Sequence, residues 1–185
     1  KIETDVLVIG GGGGGLRAAV AAHDAGAKVL VLSKGIVGKS GLTQTAVTGF
    51  QVALGYADSR DNPAVHYADS MKGSYGLADG ELVEIFTREG IDAFKEIEDF
   101  GARFDRDSDG SLIQRKLDSS QTYARSVKKG DALGTPIMQA LRRQTNKRKI
   151  GRLHEVFVTK ILKDDDKVAG AVGVDFRTGE ILQIK

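Results

Sequence analysis

A run of six glycines, Gly10 to Gly15, restricts the possible folds of this chain more than any other feature. The apolar residues 6–9 come directly before it, and such a continuous run is typical of a strand covered on both faces in a parallel sheet. The alanine-rich residues 16–25 follow, and they predict a helix that ends at Gly26. A second apolar strand at residues 28–32 completes a predicted βαβ unit.

The spacing within the glycine run indicates what this unit binds. Gly10, Gly12 and Gly15 have the pattern G-x-G-x-x-G. The first glycine permits a tight turn, the second lets a pyrophosphate approach the backbone, and the third lets helix and strand pack closely. The helix N-terminus adds free N–H groups and a partial positive charge. Because the motif lies between a buried strand and a helix, it predicts a dinucleotide site, not a glycine linker.

The residues at the end of the second predicted strand favour one dinucleotide over another. An NAD site usually has Asp or Glu about 20 residues after the glycines, where the carboxylate accepts from the ribose hydroxyls. This chain has Ser33 and Lys34 there. A serine hydroxyl still bonds a ribose and a lysine can face a phosphate, so the pair favours FAD over NAD.

Residues 33–48 are predicted to form a long polar loop, and loops of this length are usually functional. Its hydroxyl side chains and backbone amides suit the ribityl chain and the polar edge of a flavin. Gly38-Lys39-Ser40 matches the last three positions of the Walker A motif. However, Ser33 stands where the first Walker glycine belongs, and no helical pattern follows. A P-loop nucleotide hydrolase is therefore the weaker alternative.

The remaining chain predicts helices, a polar turn and a small antiparallel sheet. The helices are residues 62–75, 80–100 and 136–149, and the apolar side chains of the second helix recur at a spacing that predicts core packing. Residues 105–110 read as a turn between short strands, since Lys116 stands where a calcium loop needs a bidentate glutamate. Residues 154–162, 167–176 and 180–185 predict a three-stranded meander.

Composition excludes several classes of function. The 185 residues carry a net charge of only +2, which argues against a nucleic-acid surface. There is no cysteine, so the chain holds no disulfide or iron–sulfur cluster of its own. No apolar run approaches the roughly 20 residues of a membrane span, and we expect a cytoplasmic protein. The three histidines are scattered, so no metal site is predicted, and no catalytic residue is nominated.

The chain resembles the FAD-binding domain of succinate dehydrogenase and fumarate reductase flavoprotein subunits over nearly its whole length. The principal matches are Gly10 to Gly15 followed by Leu16-Arg17-Ala18-Ala19, the strand ending Ser33-Lys34, and Lys39-Ser40-Gly41. Supporting matches, in the same order as in the family, are Tyr67-Ala68-Asp69-Ser70-Met71-Lys72-Gly73-Ser74, Glu98-Asp99-Phe100-Gly101 with Phe104, Asp109-Gly110, Gln114-Arg115, Gly130-Asp131 with Gly134, and Glu155-Val156-Phe157-Val158.

The resemblance implies an α/β fold of the Rossmann-like, glutathione-reductase type, with a parallel sheet, flanking helices and a C-terminal antiparallel meander. It implies bound FAD, with hydride passing between flavin N5 and a dicarboxylate carbon. L-aspartate oxidase, in the same superfamily, is the alternative. The expected cofactor-binding residues are Gly10, Gly11, Gly12, Gly13, Gly14, Gly15, Ser33, Lys34, Lys39, Ser40, Gly41, Leu42, Thr43, Thr45, Thr48 and, at the adenine, Val158. An iron–sulfur subunit is the expected partner, and such partners would provide any association with the membrane.

Two departures from the family pattern lead to further expectations. Membrane-bound members carry a histidine, covalently joined to the flavin, where this chain has Gly41, so the flavin here is expected to be non-covalent. Such a flavin is expected to favour fumarate reduction or oxidase chemistry over succinate oxidation. The chain also stops at Lys185, before the family's next sheet strand and its capping domain with the substrate-binding side chains. Residues 1–185 are thus expected to be an incomplete FAD-binding domain, with residues 50–134 as an insertion and no activity alone. A non-catalytic nucleotide-binding module is the rival hypothesis.

Overall fold

A computed structural model describes residues 1–185, which form eight strands and five helices. The strands are β1 (Val6–Ile9), β2 (Val29–Leu32), β3 (Phe50–Gln51), β4 (Ser126–Val127), β5 (Gly151–Leu153), β6 (Val156–Asp164), β7 (Lys167–Asp175) and β8 (Ile181–Ile184). The helices are α1 (Gly13–Asp24), α2 (Leu42–Thr45), α3 (Pro63–Gly73), α4 (Gly80–Asp99) and α5 (Gly134–Lys147). The chain divides into two compact units, residues 1–44 with 137–185, and residues 45–136. None of the helices combines the length and apolar composition that crossing a bilayer requires.

The first unit contains a three-stranded parallel sheet in the order β1-β2-β5. Val6 pairs with Val29 and Ile9 with Leu32, so α1 connects two neighbouring parallel strands. All four residues of β2 are buried, as expected of a central strand. β1 is an edge strand in this chain, and Ile9 is exposed. The predicted βαβ unit is confirmed, whereas the expectation that β1 is covered on both faces is not.

The predicted meander is also confirmed, as the antiparallel sheet β6-β7-β8. Its inner face packs against the parallel sheet, and the core between them centres on Leu30, Leu32 and Ile184. This packing places the start of β6 beside the end of β2, where the N–H of Val156 donates to the carbonyl oxygen of Ser33 (3.0 Å). The α/β fold class with a C-terminal antiparallel sheet is therefore confirmed.

Two sequence interpretations were wrong in this region. Residues 151–153 form β5, the third parallel strand, whereas no strand was predicted there from the sequence. Three residues are too few to show a period, and a glycine and an arginine occupy two of the positions. The polar segment of residues 33–48 was predicted without secondary structure, but it contains the single-turn helix α2. A four-residue helix has too little apolar periodicity to be predicted.

The second unit contains α3, α4 and the short antiparallel pair β3-β4. Asn62 caps α3 and Asp79 caps α4, and each side chain accepts from two backbone N–H groups of the first turn. Phe94 of α4 is buried and its ring centroid lies 5.4 Å from that of Phe50. The predicted core packing holds only for the second half of α4, since Leu82, Ile85 and Phe86 in the first half are exposed. The predicted polar turn forms at residues 107–110, flanked by one bridge instead of two strands.

Candidate functional site

The backbone of the glycine turn between β1 and α1 itself excludes side chains at Gly10 and Gly15. Gly10 has a φ of +111°, a conformation that residues with a Cβ rarely adopt. A Cβ on Gly15 would overlap the carbonyl oxygen of Gly10 and lie 3.0 Å from its carbonyl carbon. The helix therefore starts in direct contact with the turn that precedes it. This close approach of helix to strand is what the G-x-G-x-x-G spacing predicts.

Gly12 differs from its neighbours because open space lies beside it. A Cβ on Gly12 would have no atom within 4 Å, and the residue has φ −80° and ψ −170°, which any amino acid can adopt. Sterics within the protein therefore do not require glycine here. The absent side chain instead leaves room for a ligand to approach the backbone.

The N-terminus of α1 has unused hydrogen-bonding capacity at the same place. Gly12 is the N-cap and gives no side-chain hydrogen bond, and the first turn contains no acidic residue. The first N–H groups of a helix have no acceptor within the helix, and together they carry about half a positive charge. An anionic group such as a pyrophosphate fits this arrangement, since it would supply both the acceptors and the compensating charge.

Residues of the loop after β2 hold the glycine turn from the other side. The N–H of Gly38 donates to the carbonyl oxygen of Gly11 (2.9 Å), and a Cβ on Gly11 would lie 2.8 Å from Cα of Val37. Farther along, the N–H of Gly13 donates to Oγ1 of Thr43 (3.3 Å). The loop and the glycine turn therefore keep a fixed separation, which sets the width of the opening between them.

This opening is a cleft of about 550 Å³ at the carboxyl ends of β1 and β2. Its lining comprises Ile9, Gly10, Gly11, Gly12, Leu32, Ser33, Lys34, Gly35, Ser40, Gly41, Val156, Phe157 and Val158. The volume is in the usual range for small-molecule and cofactor sites. The position agrees with the general rule that open α/β sheets bind ligands outside the carboxyl ends of their strands.

The structure brings together half of the residues predicted to bind the cofactor. Those that line the cleft are Gly10, Gly11, Gly12, Ser33, Lys34, Ser40, Gly41 and Val158. The others of the first unit, Gly13, Gly14, Gly15, Lys39, Leu42 and Thr43, lie outside the lining. Thr43 still contacts Gly13, whereas Leu42 is 90% exposed. Thr45 and Thr48 belong to the second unit.

Sequence reasoning did not identify five of the lining residues, Ile9, Leu32, Gly35, Val156 and Phe157. Two of them end strands β1 and β2, so the rule on carboxyl strand ends would have found them. The other three depend on β6 lying beside the loop after β2, a tertiary contact that leaves no local signal. His154, for which the sequence predicted no role in a site, accepts at Nδ1 from the N–H of Val37 (3.1 Å).

The second unit contains a buried ionic cluster that the sequence did not predict. The guanidinium of Arg125 is 1% exposed and donates to Asp61 (2.9 Å) and to Asp69 (2.7 Å). Burial raises the pKa of Asp61 despite the nearby Arg125. Burial also acts to raise the pKa of Asp69, but hydrogen bonds from Thr122 and the charge of Arg125 outweigh it and lower that pKa.

The same cluster includes His66, whose ring packs against Phe86 with centroids 5.3 Å apart. Burial, together with the positive charge of Arg125, lowers the pKa of His66 to about 4. His66 is therefore neutral near pH 7. Arg125 bonds to both carboxylates, and Thr122 also bonds to Asp69, so we interpret the cluster as structural.

Comparison with known proteins connects this chain with flavoproteins. The profile of the family described as "FAD binding domain" matches residues 5–185. A fumarate reductase (CoM/CoB) chain of Methanothermobacter marburgensis is 38% identical over 178 residues, which are 96% of this chain and 32% of that protein. L-aspartate oxidase of Streptomyces coelicolor is 31% identical, over 91% of this chain and 29% of that protein.

Solved structures agree with the sequence comparison. Mycobacterium smegmatis Sdh1 in complex with UQ1 superposes with a TM-score of 0.92 at 34% identity, over 99% of this chain and 32% of that one. E. coli quinol fumarate reductase gives a TM-score of 0.90 at 29% identity, over 100% of this chain and 31% of that one. The chain thus spans about a third of the length of the relatives it matches.

Proposed function

The chain belongs to the FAD binding domain family of succinate dehydrogenase and fumarate reductase flavoproteins, and from this premise we propose that it holds the flavin of an enzyme that interconverts succinate and fumarate. The observation that carries the proposal is the N-terminus of α1, which has no acidic residue in its first turn and receives no side-chain hydrogen bond from its N-cap, beside the open face of Gly12. When bound, FAD supplies hydride transfer between flavin N5 and a carbon of the dicarboxylate.

In the proposed site the residues of this chain bind FAD, orient it and exclude water from it. Residues 10–15 and the first turn of α1 hold the pyrophosphate, with the backbone N–H groups as donors. Ser33 and Lys34 face the ribose and a phosphate at the end of β2. The loop from Lys39 to Thr43 covers the flavin side of the cofactor, and the backbone at Val158 meets the adenine. Thr45 and Thr48 are proposed to continue the flavin-side contacts.

We propose that the flavin is bound without a covalent link. Gly41, at the position of the flavin-linked histidine in membrane-bound relatives, has no side chain to form one and has a φ of +97°. A histidine at this backbone conformation would be strained by about 1–2 kcal/mol. Without the rise in potential that a covalent link gives, the proposed direction is fumarate reduction. The relative from Methanothermobacter marburgensis, named a fumarate reductase, supports this direction.

The substrate-binding side chains and the partners are proposed to lie beyond residues 1–185. This chain covers about a third of its relatives, and no acid–base pair or cluster of substrate-binding arginines is evident in the cleft. We propose that residues 50–134 are an insertion in the FAD-binding domain and that an iron–sulfur subunit exchanges electrons with the flavin. Any contact with a membrane would come through partner subunits.

The proposal is tested on the full-length protein that carries this chain. After acid precipitation, yellow colour in the supernatant is expected, whereas colour retained in the pellet would contradict non-covalent binding. Turnover is then measured with fumarate and a reduced viologen, with succinate and an oxidising dye, and with L-aspartate and oxygen. Fumarate turnover faster than the other two supports the proposal. Turnover of L-aspartate alone would assign the protein to the oxidase branch of the family.

A further inference from the structure

A single side chain connects the loop after β2 with the end of β5. The N–H of Val37 donates to Nδ1 of His154 at 3.1 Å, although the two residues are 117 positions apart in the sequence. Val37 is 3% exposed, so water does not readily replace this acceptor. An imidazole that accepts at Nδ1 is neutral and carries its proton on Nε2. His154 is therefore an acceptor for a buried amide that would otherwise have none.

The position of Val37 matters because the glycine turn rests on it. A Cβ on Gly11 would lie 2.8 Å from Cα of Val37, and the next amide, of Gly38, donates to the carbonyl oxygen of Gly11 (2.9 Å). Gly11 lines the cofactor cleft. A shift of Val37 would therefore be passed directly to the backbone that faces the cofactor pyrophosphate.

Three other hydrogen bonds link the same segments, and all of them use backbone atoms alone. The N–H of Ser33 donates to the carbonyl oxygen of Leu153 (3.2 Å). The N–H of Glu155 donates to the carbonyl oxygen of Gly35 (3.2 Å), and the N–H of Val156 donates to that of Ser33 (3.0 Å). Glu155 has a φ of +58°, which turns the chain from β5 into β6 at this point. Because backbone bonds form with almost any residue, the bond from Val37 is the one link of the four that depends on a particular side chain.

We propose that His154 is a positioning residue for FAD. By accepting from the N–H of Val37, His154 fixes Val37 and thereby the shape of the glycine turn at Gly11. The proposal rests on FAD binding by this family and not on the succinate–fumarate reaction. His154 itself does not line the cleft. Its effect on the cofactor is therefore indirect, through the loop that it holds.

The test compares His154→Leu, which removes the acceptor, with His154→Asn, whose side-chain oxygen can replace Nδ1. His23→Leu is the matched control, since His23 lies on α1 and its side chain bonds only to that of the adjacent Asp24. All variants are made in the full-length protein, from which FAD is removed and then titrated back. Flavin fluorescence gives the dissociation constant, and hydrogen exchange of the apoprotein reports on the Val37 amide.

Loss of one hydrogen bond to a buried amide predicts a three- to tenfold rise in the FAD dissociation constant of His154→Leu. Faster exchange at Val37 should accompany it. His154→Asn should restore both values to within about twofold, since the acceptor is retained. Wild-type affinity in His154→Leu, or an equal loss in both variants, would overturn the proposal. An affinity loss in a protein without fumarate turnover would support the role of His154 and count only against the proposed reaction.

Discussion

Replacing Gly12 by alanine is expected to abolish most FAD binding while leaving the fold intact. The backbone of Gly12 has φ −80° and ψ −170°, so an alanine is not strained, and its Cβ would meet no protein atom within 4 Å. The added methyl group would instead occupy the space where we place the pyrophosphate. A hydrogen bond to a charged group contributes about 1.5–3 kcal/mol, so displacing one or two weakens FAD by about 3 kcal/mol, on the order of a hundredfold in Kd.

The assay pairs isothermal titration of the apoprotein with FAD and thermal unfolding without FAD, both on the full-length protein. Gly90→Ala is the matched control, because Gly90 lies within α4, does not line the cleft, and its Cβ would also meet nothing within 4 Å. In a helix an alanine is favoured over glycine by up to about 1 kcal/mol, so the control should melt no lower than the wild type and bind FAD normally. Wild-type affinity in Gly12→Ala, or a clear loss of apoprotein stability, would refute the reasoning.

Three further predictions concern stability and are measured by denaturant unfolding of the full-length protein. Gly15→Ala should lower the unfolding free energy by about 1–3 kcal/mol, because its Cβ overlaps the preceding turn; an unchanged midpoint would contradict the close helix–strand contact. Arg125→Met should cost about 3–5 kcal/mol, since it leaves the buried carboxylate of Asp61 and the partly buried carboxylate of Asp69 without their cation, and a loss below 1 kcal/mol would contradict the buried cluster. The pKa of His66 is about 4 in the folded protein and about 6.5 in the unfolded chain. As the pH falls from about 6.5 to about 4, the unfolded chain therefore takes up the proton before the folded protein does, and the free energy of unfolding should fall. The fall should total about 3 kcal/mol and should be absent in His66→Leu.

The sequence predicted the parts of the fold whose signals are local. The glycine run and its flanking apolar strands determined the βαβ unit, and Asn62 and Asp79 began α3 and α4 where capping residues are expected. β5 was missed because three residues pair with β2 only through the tertiary fold. Phe86 was assigned to the core from its spacing alone, and periodicity does not say whether a second element covers a helix face.

For the site, the sequence predicted the ligand class better than the lining. Residues near the glycines in sequence, such as Gly12 and Ser33, do line the cleft. Phe157 lines the cleft only because the meander packs against the parallel sheet. The role of His154 depends on a contact across 117 residues, which no spacing rule predicts.

One single-turnover measurement tests the proposed reaction most directly. The flavin of the full-length protein is reduced without oxygen, mixed with fumarate, and followed by its visible absorbance. The proposal predicts that the yellow oxidised flavin returns with fumarate and that L-aspartate does not bleach the oxidised protein. Flavin that stays reduced in excess fumarate, with bleaching by L-aspartate, would contradict the assignment.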